Sequence, residues 1–133
     1  MADKVEKSDK EWLDQLGPKA FKVLRRHDTE RAGTSPLNAE KRDGMFKCAG
    51  CGEPLFGSDS KFESGTGWPS FYQPINDEAI EEKVDKTLWM TRTEVHCAKC
   101  GGHQGHVFPD GPNPTGLRYC INGVALEFEP KED

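Results

Sequence analysis

Two short motifs, Cys48-Ala-Gly-Cys51-Gly and Cys97-Ala-Lys-Cys100-Gly, constrain this chain more than any other feature. Each CxxC spacing sets two sulfurs on one tight turn, and the glycine after the second cysteine helps backbone amides turn toward sulfur. Two such turns supply four thiolates, a full tetrahedral zinc shell with no open position. A closed shell is structural, because a catalytic zinc keeps one position free. The stretch between the motifs is far longer than the roughly 15–20 residues of an ordinary zinc ribbon. The ion would therefore staple two distant hairpins, and closing so long a loop costs only slowly more entropy. Two disulfides, or one CxxC acting as a redox dithiol, are the competing readings. Neither motif heads an obvious βαβ helix, as a thioredoxin-like dithiol would. The duplicated spacing favours one structural Zn2+ per chain.

The size of the chain makes such a staple useful. At 133 residues it is about one domain, and only 34% of it is hydrophobic. Four thiolates and one divalent ion would take the formal net charge from -5 to -7. An acidic surface repels phosphate backbones, so no nucleic acid partner is expected. Five cysteines leave one over after the four ligands. A secreted disulfide protein would pair them, whereas metal ligands plus one reactive thiol suit a reducing compartment. The charged start MADKVEKSDKEW has no apolar signal region, and no stretch approaches the roughly 20 apolar residues of a membrane span. The expectation is a cytoplasmic protein with no membrane contact, monomeric because no long apolar helix stripe is left to pair.

Ser8 with Glu11 has capping-box spacing, followed by Trp12, Leu13 and Leu16 at helical intervals. Gly17-Pro18 breaks that helix and opens a second, carrying Phe21, Val23 and Leu24 and ending near His27. The stretch TERAGTSPLNAEKRDG reads as loop. From Gly44 onward, short runs (MFKC, PLFGS, LWMTRTEVHC, GHVF, LRYCING, VALEFEP) are punctuated by Gly, Pro, Asn and Asp, the grammar of antiparallel strands. Val124, Leu126 and Phe128 would share one face. Ile75, Ala79, Ile80 and Val84 suggest a short helical turn or an irregular link. The expected organisation is a disordered 1–7, one domain over 8–129, and a tail over 130–133. The expected fold is mainly β, with two short N-terminal helices on a small antiparallel domain.

The leftover Cys120 lies in Gly-Leu-Arg118-Tyr-Cys120-Ile-Asn122-Gly. Alternation puts Arg118, Cys120 and Asn122 on one strand face. A guanidinium beside a sulfur stabilises its thiolate, and Asn122 can add a hydrogen bond. The competing reading is a small buried core cysteine. Upstream, His103 and His106 share a glycine-rich segment with Asp110, which suggests an acid–base pair with an orienting carboxylate. Solvent-exposed histidines or extra metal ligands are the alternatives. Trp68, between Gly67 and Pro69, looks presented from a rigid loop, although large aromatics mostly serve packing.

Taken together, GTGWPSF, the two CxxC pairs, HQGHVFPDGP and PTGLRYCIN resemble the B-type methionine-R-sulfoxide reductase family, from about Leu13 to Phe128. The resemblance implies a fold of two antiparallel sheets with short N-terminal helices. It implies Cys120 as nucleophile, with His103, His106, Asp110, Arg118 and Asn122 around it. Trp68 would hold the sulfoxide methyl, with Phe108 nearby, and Cys48, Cys51, Cys97 and Cys100 would bind zinc. The implied substrates are oxidised proteins or peptides, a repair activity against oxidative stress. The implied product on the protein is a sulfenic acid at Cys120. Many family members carry a resolving cysteine where this chain has Thr66, so the expected reductant is external, thioredoxin or a small thiol. Two other classes remain open at this point. A zinc-stapled binding module would need neither Cys120 nor the histidines, and a cysteine hydrolase would use Cys120, His106 and Asp110.

Overall fold

The computed structural model describes residues 7–26, 28–86 and 91–131. Residues 1–6, His27, residues 87–90 with the first part of the LWMTRTEVHC run, and the last two residues of the tail lie outside the described residues.

Helix α1 (Asp9–Leu16) starts at the expected capping box: the Ser8 hydroxyl accepts from the Glu11 amide, and the Glu11 carboxylate accepts from the Ser8 amide. Gly17, at φ 83°, ends it by donating to the Leu13 carbonyl. Pro18 then opens α2 (Pro18–Arg26). Leu13 does not join the inward stripe; it is exposed, and Trp12 carries the burial of α1. The two helices close over the cysteine turns. Trp12 packs on Gly50, Gln15 donates to the Gly50 carbonyl (2.6 Å), and Arg25 donates to the Cys100 carbonyl (2.8 Å). Leu24 sits so close to Gly102 that a Cβ there would lie 2.8 Å from its methyl group.

The strands form two antiparallel sheets, as the sequence leads one to expect. The first has the order β2 (Pro54–Gly57), β1 (Gly44–Cys48), β9 (Leu126–Pro130). The second runs β3 (Lys61–Phe62), β4 (Ser70–Phe71), β8 (Arg118–Ile121), β7 (His103–Phe108), β6 (Thr91–Cys97), β5 (Ile80–Lys86). Buried aromatic rings join the two sheets. Phe56 of β2 stacks on Phe71 of β4 with centroids 4.5 Å apart, and Phe46 of β1 meets the same ring edge-on at 5.0 Å. Each ring removed from water contributes about 1.5–3 kcal/mol, so this cluster fixes how the sheets face each other.

Three expectations need correction. The stretch around Ile80 and Val84 is neither helical nor irregular: β5 pairs with β6 over seven registered positions, Ile80 with Cys97 through Lys86 with Thr91. Its alternation is hidden because it is an outer strand, largely exposed on both faces after Ile80. Its charged residues guard that edge against pairing with another chain. Val124 does not share the β9 face, because Gly123–Ala125 form a 3-10 turn before the strand starts. The polar loop after α2 contains a 3-10 turn at Pro36–Ala39, capped by the Ser35 hydroxyl.

Candidate active site and metal centre

The Cys48–Cys51 turn joins β1 to β2, and the Cys97–Cys100 turn joins β6 to β7, so two distant hairpins present their sulfurs to each other. All four sulfurs lie within 4.8 Å of one another, with Cys48–Cys100 and Cys51–Cys97 each at 3.6 Å. These distances exclude disulfides, which need about 2.05 Å. They suit a metal: a tetrahedron with bonds of about 2.3 Å has edges of about 3.8 Å. Gly52 and Gly101 close their turns at φ 79° and 75°, conformations that favour glycine. The amides that point at sulfur are those of Gly50 (to Cys48, 3.3 Å) and Gly102 (to Cys100, 3.4 Å). Gln104 adds its side-chain amide to Cys48 at 3.4 Å. Crowding splits the sulfur acidities. The Cys100 sulfur pushes Cys48 and Cys97 up and pulls Cys51 down, and Cys48 pulls Cys100 down. A bound cation would remove that conflict by accepting all four as thiolates.

A second centre lies on the same sheet. Register places His106 of β7 opposite Cys120 of β8, and Phe108 opposite Arg118. Antiparallel partners in register point to one face, so nucleophile candidate and imidazole stand side by side. They line a cavity of about 310 Å³ together with Trp68, Phe108, Arg118 and Asn122. The loop before β4 brings in Trp68, whose indole N–H donates to the Glu30 carbonyl (2.9 Å), and Thr66, whose hydroxyl lies 3.7 Å from the Cys120 sulfur.

The carboxylates are not arranged as the sequence suggested. Asp110 does not orient His106. It grips Arg118 in a two-point ion pair (Nε–Oδ1 2.8 Å, Nη2–Oδ2 3.2 Å), and Arg118 lies over the Phe108 ring at 4.4 Å. That pair holds Asp110 below, and Arg118 above, its ordinary range. The partner of His106 is Asp85, from the unrecognised strand β5, with Nε2–Oδ2 at 3.1 Å. Burial pushes His106 below the usual imidazole range, against an upward pull from Asp85, while the His106 hydrogen bond holds Asp85 low. An ionised Asp85 only accepts, so Nε2 carries the proton and Nδ1 is the acceptor of the neutral ring. His103 is fully buried, its Nδ1 2.8 Å from the equally buried Glu94, and its ring meets His106 edge-on at 5.5 Å.

Asn122 is also differently employed. It follows β8, and both ends of its amide are engaged. Oδ1 accepts from the Glu30 amide (3.0 Å), and Nδ2 donates to the Gln104 carbonyl (3.0 Å). It borders the cavity as a strut rather than as a donor to sulfur. Sequence reasoning did not find Asp85, Glu94, Glu30, or Arg92, which lines the cavity and donates to Asp85 at 3.3 Å. Asp85 becomes visible only once β5 is paired with β6, and Glu94 only once β6 is paired with β7, since each reaches its histidine across strands.

Fold and site together define a two-sheet β protein with one lone cysteine against a histidine and a separate four-cysteine centre. The SelR domain matches residues 16–130. A peptide methionine sulfoxide reductase MsrB of Agrobacterium fabrum is 55% identical over 127 residues, 96% of this chain and 94% of that protein. The MsrB of Pseudomonas fluorescens strain Pf0-1 is 55% identical over 98% of this chain and 99% of its own length. That of Thiobacillus denitrificans is 52% identical over 95% and 96%. The chain belongs to the SelR-domain, or MsrB, family.

Proposed function

We propose that this chain reduces the R epimer of peptide-bound methionine sulfoxide to methionine, with Cys120 as nucleophile. The observation that supports this most is the register of His106 opposite Cys120 on the floor of a cavity walled by Trp68. The Cys120 thiolate attacks the sulfoxide sulfur while its oxygen is protonated. A Cys120–sulfur S–S bond forms as the S–O bond breaks and the twice-protonated oxygen leaves as water. A water then attacks the Cys120 sulfur, the S–S bond breaks to release methionine, one proton is lost, and Cys120 is left as a sulfenic acid. The proton comes from the histidine pair, with Asp85 stabilising the imidazolium of His106. Arg118, held by Asp110, faces the developing charge near sulfur. The face of Trp68 holds the methyl group on the polarised sulfur, and Phe108 supports Arg118.

Two external thiols then reduce the sulfenic acid, releasing water and a disulfide; thioredoxin or a small thiol fills that role. Thr66 occupies the place next to Cys120 from which a cysteine could resolve it, and the other four cysteines are clustered in the second centre. We infer that this centre holds one structural zinc ion, on the strength of four sulfurs at tetrahedral spacing with no other ligand type among them. The reading extends to a single monomeric domain over residues 8–129, acting in the cytoplasm without nucleic acid or membrane. Among the described residues, no helix is long and apolar enough to cross a membrane.

The test is stereochemical. A racemic peptide methionine sulfoxide is incubated with the protein and dithiothreitol, and each epimer is quantified by chromatography. Loss of the R epimer alone, abolished by Cys120→Ser, is the expected result. Persistence of both epimers with the metal bound would refute the reading and favour a binding module. In the hydrolase alternative Asp110 is engaged by Arg118, and Asp85 is the carboxylate on His106; absence of an acyl-product burst with ester substrates removes that reading.

A further inference from the structure

Glu30 lies outside every motif considered above, in the polar stretch after α2, yet it is 5% exposed. A carboxylate that far from water needs strong hydrogen bonds to remain there. Its two oxygens accept from the amides of Gly123 (2.6 Å) and Val124 (3.1 Å), the residues that follow Asn122. Charge-assisted bonds to backbone amides are among the stronger ones available. Its own backbone is used on both sides. The amide donates to Asn122 Oδ1 at 3.0 Å, and the carbonyl accepts the Trp68 indole N–H at 2.9 Å.

One residue therefore joins two parts of the cavity that are remote in sequence, the end of the nucleophile strand and the tryptophan loop. The same segment makes further contacts with that loop. The Gly33 amide donates to the Gly67 carbonyl (2.7 Å), and the Asn38 side chain donates to the same oxygen (2.9 Å). Gly67 stands at φ 91°, and a Cβ there would lie 2.8 Å from Ala32. The loop bearing Trp68 is thus pressed against the segment on one side and hydrogen-bonded to it by its indole.

We propose that Glu30 is a positioning residue for the substrate-binding wall: its carboxylate clamps the segment onto the turn after Asn122, and its carbonyl sets the plane of the Trp68 ring. Glu30 touches no reacting atom. An indole whose N–H is anchored has its side-chain torsions restricted, so releasing the clamp changes how a methyl group meets the aromatic face. The inference rests on Trp68 being the methyl-binding wall, and the experiment separates the two ideas.

The test uses the full chain with its metal. Glu30→Ala and Glu30→Gln are compared with the parent by NMR of the indole N–H groups, the Trp68 signal being assigned by its loss in Trp68→Phe. Metal content and the kinetics of R-sulfoxide reduction are measured alongside. The expected result is a moved Trp68 indole signal without substrate, and a KM raised about tenfold, as the aromatic face no longer meets the methyl group squarely. Metal content is retained, and kcat changes much less than KM. Should Glu30→Ala not fold, Glu30→Gln, which keeps the volume and one acceptor, carries the same readouts. Arg31→Ala, next door and exposed, is the control that leaves both unchanged. An unmoved indole signal in the folded variants overturns the clamp. A moved signal with unchanged KM overturns the positioning role. If Trp68→Phe itself leaves KM unchanged, it is the methyl-wall reading that fails.

Discussion

Gly105→Ala tests the central claim that the nucleophile and its imidazole are set by the β7–β8 register. Gly105 faces Ile121 across the two strands, beside the His106–Cys120 pair. A Cβ on Gly105 would lie 2.0 Å from the Cys120 carbonyl oxygen and 3.0 Å from both the Cys120 carbonyl carbon and the Ile121 Cα. Ordinary contact begins near 3.4 Å. Every one of those neighbours is backbone, so no side-chain rotation relieves the clash and the strands must part. A misplacement of roughly 1 Å at a reacting centre costs about 10²-fold in rate, some 2.7 kcal/mol of barrier. Overpacking of this kind also costs about 1–3 kcal/mol of stability, which lowers the melting temperature by several degrees in a chain of this length. The assay is kcat/KM for the R-sulfoxide peptide with dithiothreitol, measured on folded, metal-replete protein beside a thermal melt. If Gly105→Ala keeps kcat/KM within about twofold of the parent, the β7–β8 register is not what sets the chemistry.

Other expectations follow from the same geometry. Asp85→Asn removes the upward pull on the His106 imidazole and leaves burial to push it further down. The acid form then persists only at lower pH, and the alkaline limb of the kcat/KM profile moves to lower pH; a limb that stays or rises would contradict the assignment. Cys48→Ser opens the four-sulfur shell, so metal content measured by atomic absorption should fall and the domain lose several kcal/mol, a fraction of the roughly 10–16 kcal/mol that structural zinc contributes to small domains. Equal stability with and without metal would deny it a structural role. Thr66→Cys brings a thiol to the site 3.7 Å from the Cys120 sulfur. One turnover without added reductant should then yield a disulfide between the introduced thiol and Cys120 by mass spectrometry, and its absence in an active variant would show the loop is held too far away.

What could be read from the sequence, and what could not, divides along a physical line. Local signals were legible. The Ser8–Glu11 capping box, the Gly17-Pro18 break and the paired CxxC turns each act within a few residues and appear as expected. Strand β8 was legible because buried Tyr119 and Ile121 alternate with half-buried Arg118 and Cys120. Strand β5 was not, because an outer strand largely exposed on both faces has no apolar period to read. Its loss took Asp85 with it, and Asp110 filled the gap by sequence proximity although its carboxylate is committed to Arg118. Glu30 was invisible for a related reason: a buried carboxylate among polar loop residues looks like any solvated one until the turn after Asn122 folds against it.

The two centres share strand β7, so a metal held by the four cysteines would reach the chemistry through that strand without touching substrate. Strand β6 ends at Cys97, the metal-type turn follows, and β7 begins at His103 only three residues after Cys100. Gln104 spans the distance between them. Its side chain donates to the Cys48 sulfur, and its carbonyl accepts both the backbone and the side-chain N–H of Asn122. Helices α1 and α2 pack on the cysteine turns from outside, through Trp12, Gln15 and Arg25, so their role is to roof the metal centre rather than to complete the cavity wall. Loosening the sulfur cluster would free the start of β7, and with it the frame on which His103 and His106 are held opposite β8. The cluster therefore acts on the site through the placement of β7, and its removal should disorder the histidine side of the cavity before it affects the Trp68 loop, which is tied to Glu30 instead.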